Sequence, residues 1–478
     1  MIKNIYILIV FALVSTACIK SDSEKTNVVF ILVDDLGWTD LSVMGSQLYQ
    51  TPQVDKLASR GTLFTNAYAA CTVCSPTRAS IMTGKYPATI NCTDWIEGHK
   101  RPHAKLNVPN WTMYMDTAEV TLAEAFKSNG YVTAHIGKWH LGEDSLYWPE
   151  NQGFDKNIAG WAKGSPHRNK TIGSRGYFPP FGNPRLKDQP DDTYLTTRLA
   201  EEACDFISQS NPKKTGKPFF LNFWLYSVHT PLQAVEQKVD KYKARLDSSY
   251  HHKNPTYAAM VEHMDDAVGA IVDRLTSEGL LDNTILVFTS DYGGLVGRRA
   301  KNVTSNYPLR NGKGHMYEGG IRVPLIIVDP RHPSLADKTE VPVISADLYP
   351  TLVEMLGLEI EETVVNAFDG CSIIPLLNSR NNITRNALYW HYPHYHTEGA
   401  QPYSAIRQGD WKLIRFFEDE HYELYNLKDD IEELHDLAEA QAEKVMQLKS
   451  MLFEWYEKVS AQMPSINPNY RMDTAERK

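Results

Sequence analysis

Two acidic residues, Asp34 and Asp35, close the apolar run from Asn27 to Asp35, and a third, Asp291, closes the run from Thr284 to Asp291. Carboxylates brought together without a partner are costly, so three converging on one point call for a cation among them. Oxygen donors with no Cys or His pair nearby favour Ca²⁺, or Mg²⁺, over zinc. Basic groups complete the set. Lys138 and His140 stand two apart in the stretch from Gly130 to Gly142, which in an extended segment puts both on one face. His229 follows the apolar run that begins at Pro218, and Lys313 sits in a glycine-rich stretch that lets backbone come close to a ligand. Singly, each has an ordinary use as a strand end, a solvated lysine or a core histidine. Together they describe an anion site beside a metal, with acid and base groups in reach. A cysteine, Cys74, stands before Ser75-Pro76-Thr77-Arg78 on a turn that opens into a helix. A thiol there has three ordinary uses: a disulfide, a small buried apolar group, or a nucleophile.

These residues need elements to hold them. Continuous apolar runs of strand length fit central strands of a parallel sheet covered on both faces. Between the second and third of them, Met260, Met264, Val268, Ile271 and Leu275 recur at helical spacing. Strands alternating with helices predict a doubly wound α/β sheet, whose ligands sit at the C-terminal ends of the strands. Asp34, Asp35, His229 and Asp291 would gather there. After residue 375 the texture changes to short runs rich in aromatics and β-branched residues, then a helix predicted from about Ile431 to Val459. The chain therefore divides into a main domain, 25–375, and a C-terminal antiparallel sheet with one helix packed on it, 376–470. The loop from Lys163 to Asp192, rich in Gly and Pro, is long enough to overhang the site.

The 478 residues suffice for a large core, and 42% hydrophobic with 22% charged residues is an ordinary globular composition. A net charge of −9, with no basic run interleaved with aromatics, argues against nucleic acid as partner. Lys3, the apolar run from Ile5 to Val14 and the small residues up to Cys18 read as an export signal, 1–17, too short to span a bilayer. Ser15 and Ala17 suit an ordinary signal peptidase, while Ser15-Thr16-Ala17-Cys18 resembles a bacterial lipobox, the favoured reading, with Cys18 lipidated; either way the expected place is the periplasm or, for the lipoprotein, the outer membrane or cell surface. Without Cys18, five cysteines remain: Cys71, Cys74, Cys92, Cys204 and Cys371. In an oxidising compartment an odd count leaves one thiol otherwise engaged.

Cys74-Ser75-Pro76-Thr77-Arg78 with Thr83-Gly84 resembles the signature of the type I sulfatases, relatives of alkaline phosphatase. The segments beginning at Val33, Gly137, Thr289 and Gly312 resemble further blocks of that family, in order. The resemblance covers the chain from about Asn27 to the C-terminal sheet and implies an alkaline-phosphatase-like mixed sheet. It implies that a separate maturation enzyme, reading Pro76 and Arg78, oxidises Cys74 to formylglycine. The hydrated aldehyde would attack sulfur in line with the departing sugar oxygen. Ca²⁺ would be held by Asp34, Asp35, Asp291 and residue 74, and would draw charge from the sulfate. Arg78 would hold the diol, Lys138 and Lys313 would neutralise the sulfate, His229 would protonate the leaving oxygen, and His140 would take the proton that expels sulfate. After the third metal aspartate the family has Asn, Gln or His; here it is Tyr292, a poor ligand as a neutral phenol.

The expected substrate is a sulfated oligosaccharide, from algal ulvan or sulfated galactan, with glycosaminoglycans second. Trp95, His99, His394 and Arg407, from two stretches rich in His, Tyr and Arg, are the expected sugar contacts. His391, His394 and His396 also raise the thought of a zinc site. A phosphoesterase of the same superfamily and an inactive sugar-binding relative are the competing readings.

Overall fold

The computed structural model describes residues 25–470 except 100, 167, 170, 172, 189–191, 298–301, 333–336 and 379–381. The expected signal and Cys18 lie outside the described residues. The main sheet uses β1 (Asn27–Val33), β2 (Thr62–Tyr68), β3 (Val132–Gly137), β4 (Lys156–Ile158), β5 (Phe219–Trp224), β6 (Thr284–Ser290), β7 (Arg322–Val328), β8 (Asp337–Thr339) and β9 (Val343–Ile344). Their order is β8-β2-β7-β6-β1-β5-β3-β4, with β9 also pairing β2. The five strands from β6 to β4 are parallel, and β7 runs antiparallel to both of its neighbours.

β1 lies at the centre, and its alternation explains the two layers around it. Val29, Ile31 and Val33 pack into one core with α1 (Pro52–Ala58), α4 (Leu195–Gln209) and α5 (Pro255–Ser277). Val28, Phe30 and Leu32 pack on the other side with α2 (Cys74–Thr83), α3 (Leu122–Ser128) and α6 (Leu348–Leu356). Successive side chains of a strand face opposite ways, so an all-apolar strand demands cover on both faces. α5 is the helix predicted from the spacing of Met260 to Leu275, and all five of its predicted core positions are buried. Asn254 caps it through the amides of Thr256 and Tyr257, with Pro255 in the first turn. Among the described residues no helix is long and apolar enough to cross a membrane.

The C-terminal strands β10 (Leu388–Tyr392), β11 (Tyr403–Gln408), β12 (Trp411–Phe416) and β13 (Tyr422–Asn426) form an antiparallel sheet in that order. α7 (Ala442–Val459) packs Leu448, Leu452, Trp455 and Tyr456 onto it, in a core that also takes Tyr68, Val73 and Ile344 of the main domain. The helix begins at Ala442, eleven residues later than the spacing predicts. Glu433 rules out the predicted start: it sits buried at φ +53°, and its carboxylate takes the Lys412 ammonium at 2.8 Å and the Glu318 amide at 2.6 Å. A residue held in the left-handed region cannot continue a right-handed helix.

Candidate active site

The carboxyl ends of β1, β6, β5 and β3 meet where α2 begins. Asp34 and Asp35 follow β1 directly, Asp291 follows β6, and all three are buried. Asp35 is at φ +64° and His140 at φ +61°, two non-glycine residues in a strained region of the kind that surrounding structure tolerates at working sites. Lys138 and His140 do converge, but not as neighbours on an extended strand. β3 ends at Gly137, whose φ of +115° turns the chain; a Cβ there would lie 1.8 Å from the Trp224 carbonyl oxygen.

Each carboxylate has a cationic partner. Lys138 Nζ lies 2.6 Å from Asp34 Oδ2, Lys313 Nζ lies 2.9 Å from Asp35 Oδ1, and Arg78 donates from Nε to Asp291 Oδ2 at 2.9 Å. Arg78 is fully buried and also donates to the Lys138 carbonyl at 2.8 Å. Burial would raise Asp34, but Lys138, His229, Arg78 and Lys313 together hold its carboxyl well below the usual carboxylate range. Asp291 goes the other way, pushed well up by burial and then by the Asp34 charge. Two acids with one field between them are separated in this way when their carboxylates crowd. Tyr292 donates its phenol to Asp34 Oδ1 at 2.9 Å, and burial followed by the Asp34 charge keeps it protonated. Ligand atoms of Asp34, Asp35 and His229 all lie within 4.8 Å of one another. A buried, oxygen-rich set of this composition suits a hard divalent cation.

Cys74 opens α2 and lies at the floor of a cavity of about 340 Å³. Its Sγ is 3.2 Å from His140 Nδ1. The other ring nitrogen, Nε2, is 3.2 Å from the Ile96 carbonyl oxygen, an acceptor only. That contact fixes the tautomer: the proton sits on Nε2, and Nδ1 offers a lone pair to whatever residue 74 carries. Burial, then the Lys138 charge, lowers His140 to about 3, so the ring is neutral near pH 7. Ser75 ties the arrangement together, donating to the His140 carbonyl at 2.9 Å and accepting from the Ile96 amide at 3.1 Å. His229 has the opposite tautomer, its Nδ1 donating to the Thr230 carbonyl at 2.8 Å, while Lys313 donates to Nε2 at 3.1 Å. Burial lowers His229 to about 4, against the pull of Asp35.

Residues 26–358 match the sulfatase family, and residues 311–461 match the C-terminal family described as N-sulphoglucosamine sulphohydrolase. The chain belongs to the sulfatase family. It is a sulfuric ester hydrolase. This sulfatase is 31% identical to a sulfatase of Formosa agariphila, over 89% of this chain and 86% of that protein. It is 30% identical to N-acetylgalactosamine-6-sulfatase of Rattus norvegicus, over 77% and 68% of the two chains. Among solved structures, that of Ps i-CgsB in complex with k-i-k-neocarrahexaose is similar, with a TM-score of 0.75, 29% identity, and 95% and 96% of the two chains covered.

The cavity of this sulfatase sorts the expected sugar contacts. Trp95 and His99 line it, but His394 and Arg407 do not. His394 is buried behind the wall, its Nε2 2.8 Å from Thr93 Oγ1. Arg407 points into the seam between the two sheets, where it pairs with the Tyr68 hydroxyl and donates to the Gly409 carbonyl at 2.9 Å. Both have the residue type of a sugar contact, and tertiary packing spends them on structure. His396 lines the cavity instead, with Glu97, Lys163, Ser165, Thr230, Thr397 and Glu398, none of which the spacing singles out. The one signal for Lys163 was its place at the head of the predicted overhanging loop. The zinc idea fails, since His391 spends its Nε2 on the Gln462 carbonyl at 2.8 Å and faces Ser404 with Nδ1 at 2.6 Å. Cys71, Cys74, Cys92, Cys204 and Cys371 are all free thiols.

Proposed function

We propose that this sulfatase hydrolyses sulfate esters of carbohydrates from residue 74, after a maturation enzyme has oxidised Cys74 to formylglycine. The observation that carries the reading is Cys74 at the cavity floor, within 3.2 Å of a neutral His140 Nδ1 whose tautomer leaves it free to accept a proton. Lys313 and His229 line the same cavity on the side of the carboxylates. Formylglycine supplies, when hydrated, a hydroxyl nucleophile and a second hydroxyl through which sulfate can be expelled. His140 takes the proton from that second hydroxyl. The leaving sugar oxygen takes its proton from His229 in its charged form, which the incoming sulfate favours by bringing negative charge beside the ring. Asp34, Asp35 and Asp291 would hold Ca²⁺, which supplies positive charge beside the sulfate oxygens. Arg78 fixes Asp291, and Lys138 fixes Asp34, so both act through the carboxylates while Lys313 faces the ester.

A carbohydrate substrate is supported by relatives whose names state N-acetylgalactosamine 6-sulfate activity and by the solved neighbour in complex with a neocarrahexaose. Together with the export signal read at Cys18, the neocarrahexaose complex favours a sulfated galactan or ulvan fragment met outside the cytoplasm, ahead of a glycosaminoglycan. The test is the mass of the tryptic peptide from Gly61 to Arg78, from protein made together with a maturation enzyme. Formylglycine or its hydrate at residue 74, with turnover of an aryl sulfate but not of the matching aryl phosphate, is expected. An unconverted thiol, while a known sulfatase matures in the same cells, would bring the phosphoesterase and sugar-binding readings forward.

A further inference from the structure

Two tyrosines that the mechanism leaves unused stand side by side at the seam between the two sheets. Tyr392 ends β10 and Tyr403 begins β11, paired directly across the C-terminal sheet with ring centroids 5.4 Å apart, and both are fully buried. Their hydroxyls leave that sheet and reach two different segments of the active site. Tyr403 donates to the Gly314 carbonyl at 2.6 Å, which spends its one proton, so the Thr72 hydroxyl, 2.8 Å away, donates to it in turn. The Gly314 amide donates to the Thr72 carbonyl at 3.0 Å and closes the knot. Gly314 follows Lys313 directly, and Thr72 stands two residues before Cys74. One phenol therefore holds the loop that carries the ammonium against the loop that carries the reacting residue.

Tyr392 serves the opposite wall. Its hydroxyl donates to Asp94 Oδ1 at 2.8 Å, and the same oxygen accepts from the Trp95 amide at 2.9 Å. The next residue is Ile96, whose carbonyl oxygen lies 3.2 Å from His140 Nε2 and fixes the tautomer of that ring. The segment that sets the proton acceptor is thus moored to the C-terminal sheet through one carboxylate oxygen. Both hydroxyls act on backbone within two residues of a group that the chemistry needs. Backbone carries side chains with it, and a shift of about 1 Å at a reacting group is enough to cost rate.

We infer, building on the mechanism proposed above, that Tyr403 and Tyr392 are positioning residues: Tyr403 sets Lys313 against residue 74 for the sulfate, and Tyr392, through Asp94, sets the acceptor nitrogen of His140. The C-terminal sheet is then part of the working site as well as a cover for the main sheet.

Tyr403→Phe and Tyr392→Phe each remove one oxygen and keep the ring that packs in the seam. On the matured enzymes, kcat and KM towards an aryl sulfate and the inhibition constant of inorganic sulfate are measured, beside the thermal midpoint. The two changes are alike in chemistry and burial, so a role in the fold alone gives them the same signature. A split is expected instead. Tyr403→Phe raises KM and the sulfate inhibition constant about tenfold through Lys313, with a smaller change in kcat. Tyr392→Phe lowers kcat about tenfold and leaves sulfate inhibition within about twofold of the unaltered enzyme. Thr72→Val, which removes the donor to Tyr403, moves the same two constants as Tyr403→Phe, and it carries that arm should Tyr403→Phe fail to fold. One signature shared by both tyrosine variants overturns the inference, as does a lowered midpoint with unchanged kinetic constants. Turnover by the unaltered enzyme without the split overturns the inference alone. No turnover by the unaltered, matured enzyme overturns the proposed mechanism with it.

Discussion

The role proposed for His140 rests on two contacts on opposite edges of one ring, and each makes a separate demand. The Ile96 carbonyl holds the proton on Nε2, and burial keeps the ring neutral, so Nδ1 is a standing acceptor 3.2 Å from residue 74. His140→Gln removes the nitrogen that can take up a proton while keeping a polar group of similar reach. The matured variant should lose roughly 10²- to 10⁴-fold in kcat towards an aryl sulfate, the usual worth of a positioned acid or base. A loss confined to KM would assign the ring to binding instead. Tyr292 makes the second residue-scale argument. Its phenol donates to Asp34 at 2.9 Å where an amide oxygen could face a cation, and burial keeps it protonated. Tyr292→Asn should therefore bind Ca²⁺ more tightly than the unaltered protein in a calorimetric titration. Equal affinity would mean that the phenol costs the site nothing.

Among the elements, the turn after β3 and the first turn of α2 decide whether the reacting groups meet. β3 must stop at Gly137 because the Trp224 carbonyl of β5 occupies the space that any side chain would need. Gly137→Ala places a methyl against rigid backbone at a φ that L-residues rarely adopt, so the turn shifts and Lys138 moves with it. The expected outcome is a fall in thermal midpoint together with loss of most activity. Retention of full activity at the lower midpoint would show that Lys138 tolerates displacement. This turn was half legible beforehand. The pairing of Lys138 with His140 followed from their spacing, but the extended geometry that suggested it does not occur. A non-local contact between β3 and β5 sets the bend, and no window of local sequence contains both partners.

For the molecule as a whole, the C-terminal sheet is riveted to the main domain by charge as well as by apolar packing. Lys412, fully buried, lies 2.9 Å from Glu318 and 2.8 Å from Glu433, on segments more than a hundred residues apart. Lys412→Met leaves two carboxylates facing each other in the seam, a change that costs about 3–5 kcal/mol when one partner of a buried pair is removed. Urea denaturation followed by tryptophan fluorescence should show it, and a loss below about 1 kcal/mol would mean that Glu433 simply takes up a proton. His391 locks the end of α7 to β11 and titrates low, to about 4, because burial disfavours its charged form. An unfolded histidine binds a proton from about pH 6.5 downwards, whereas this one does not until about pH 4. Its contribution is thus complete above pH 6.5 and is lost as pH falls across that window, by up to about 3 kcal/mol. His391→Gln should give a flatter dependence of stability between pH 6.5 and 4. A parallel curve would assign the acid sensitivity to the other buried histidines.

The sequence by itself determined the sheet and the chemistry at its edge. Apolar runs such as Asn27 to Val33 admit only strands covered on both faces, and placing carboxylates at their C-terminal ends follows from chain order alone. Cys74 with Pro76 and Arg78 likewise pointed to the proposed reacting position without any coordinates. Tertiary structure decided how the polar surplus was divided. His394 and His396 are two residues apart beyond the end of β10, and alternation no longer says which faces the cavity; packing against Thr93 took one and left the other. Arg407 had the composition of a sugar contact and became part of a seam. Lys163 and Glu97, 66 residues apart, met in the cavity wall. Burial patterns are local and periodic, so sequence carries them, whereas the partner of an exposed charge is fixed by loop closures that only the folded chain completes.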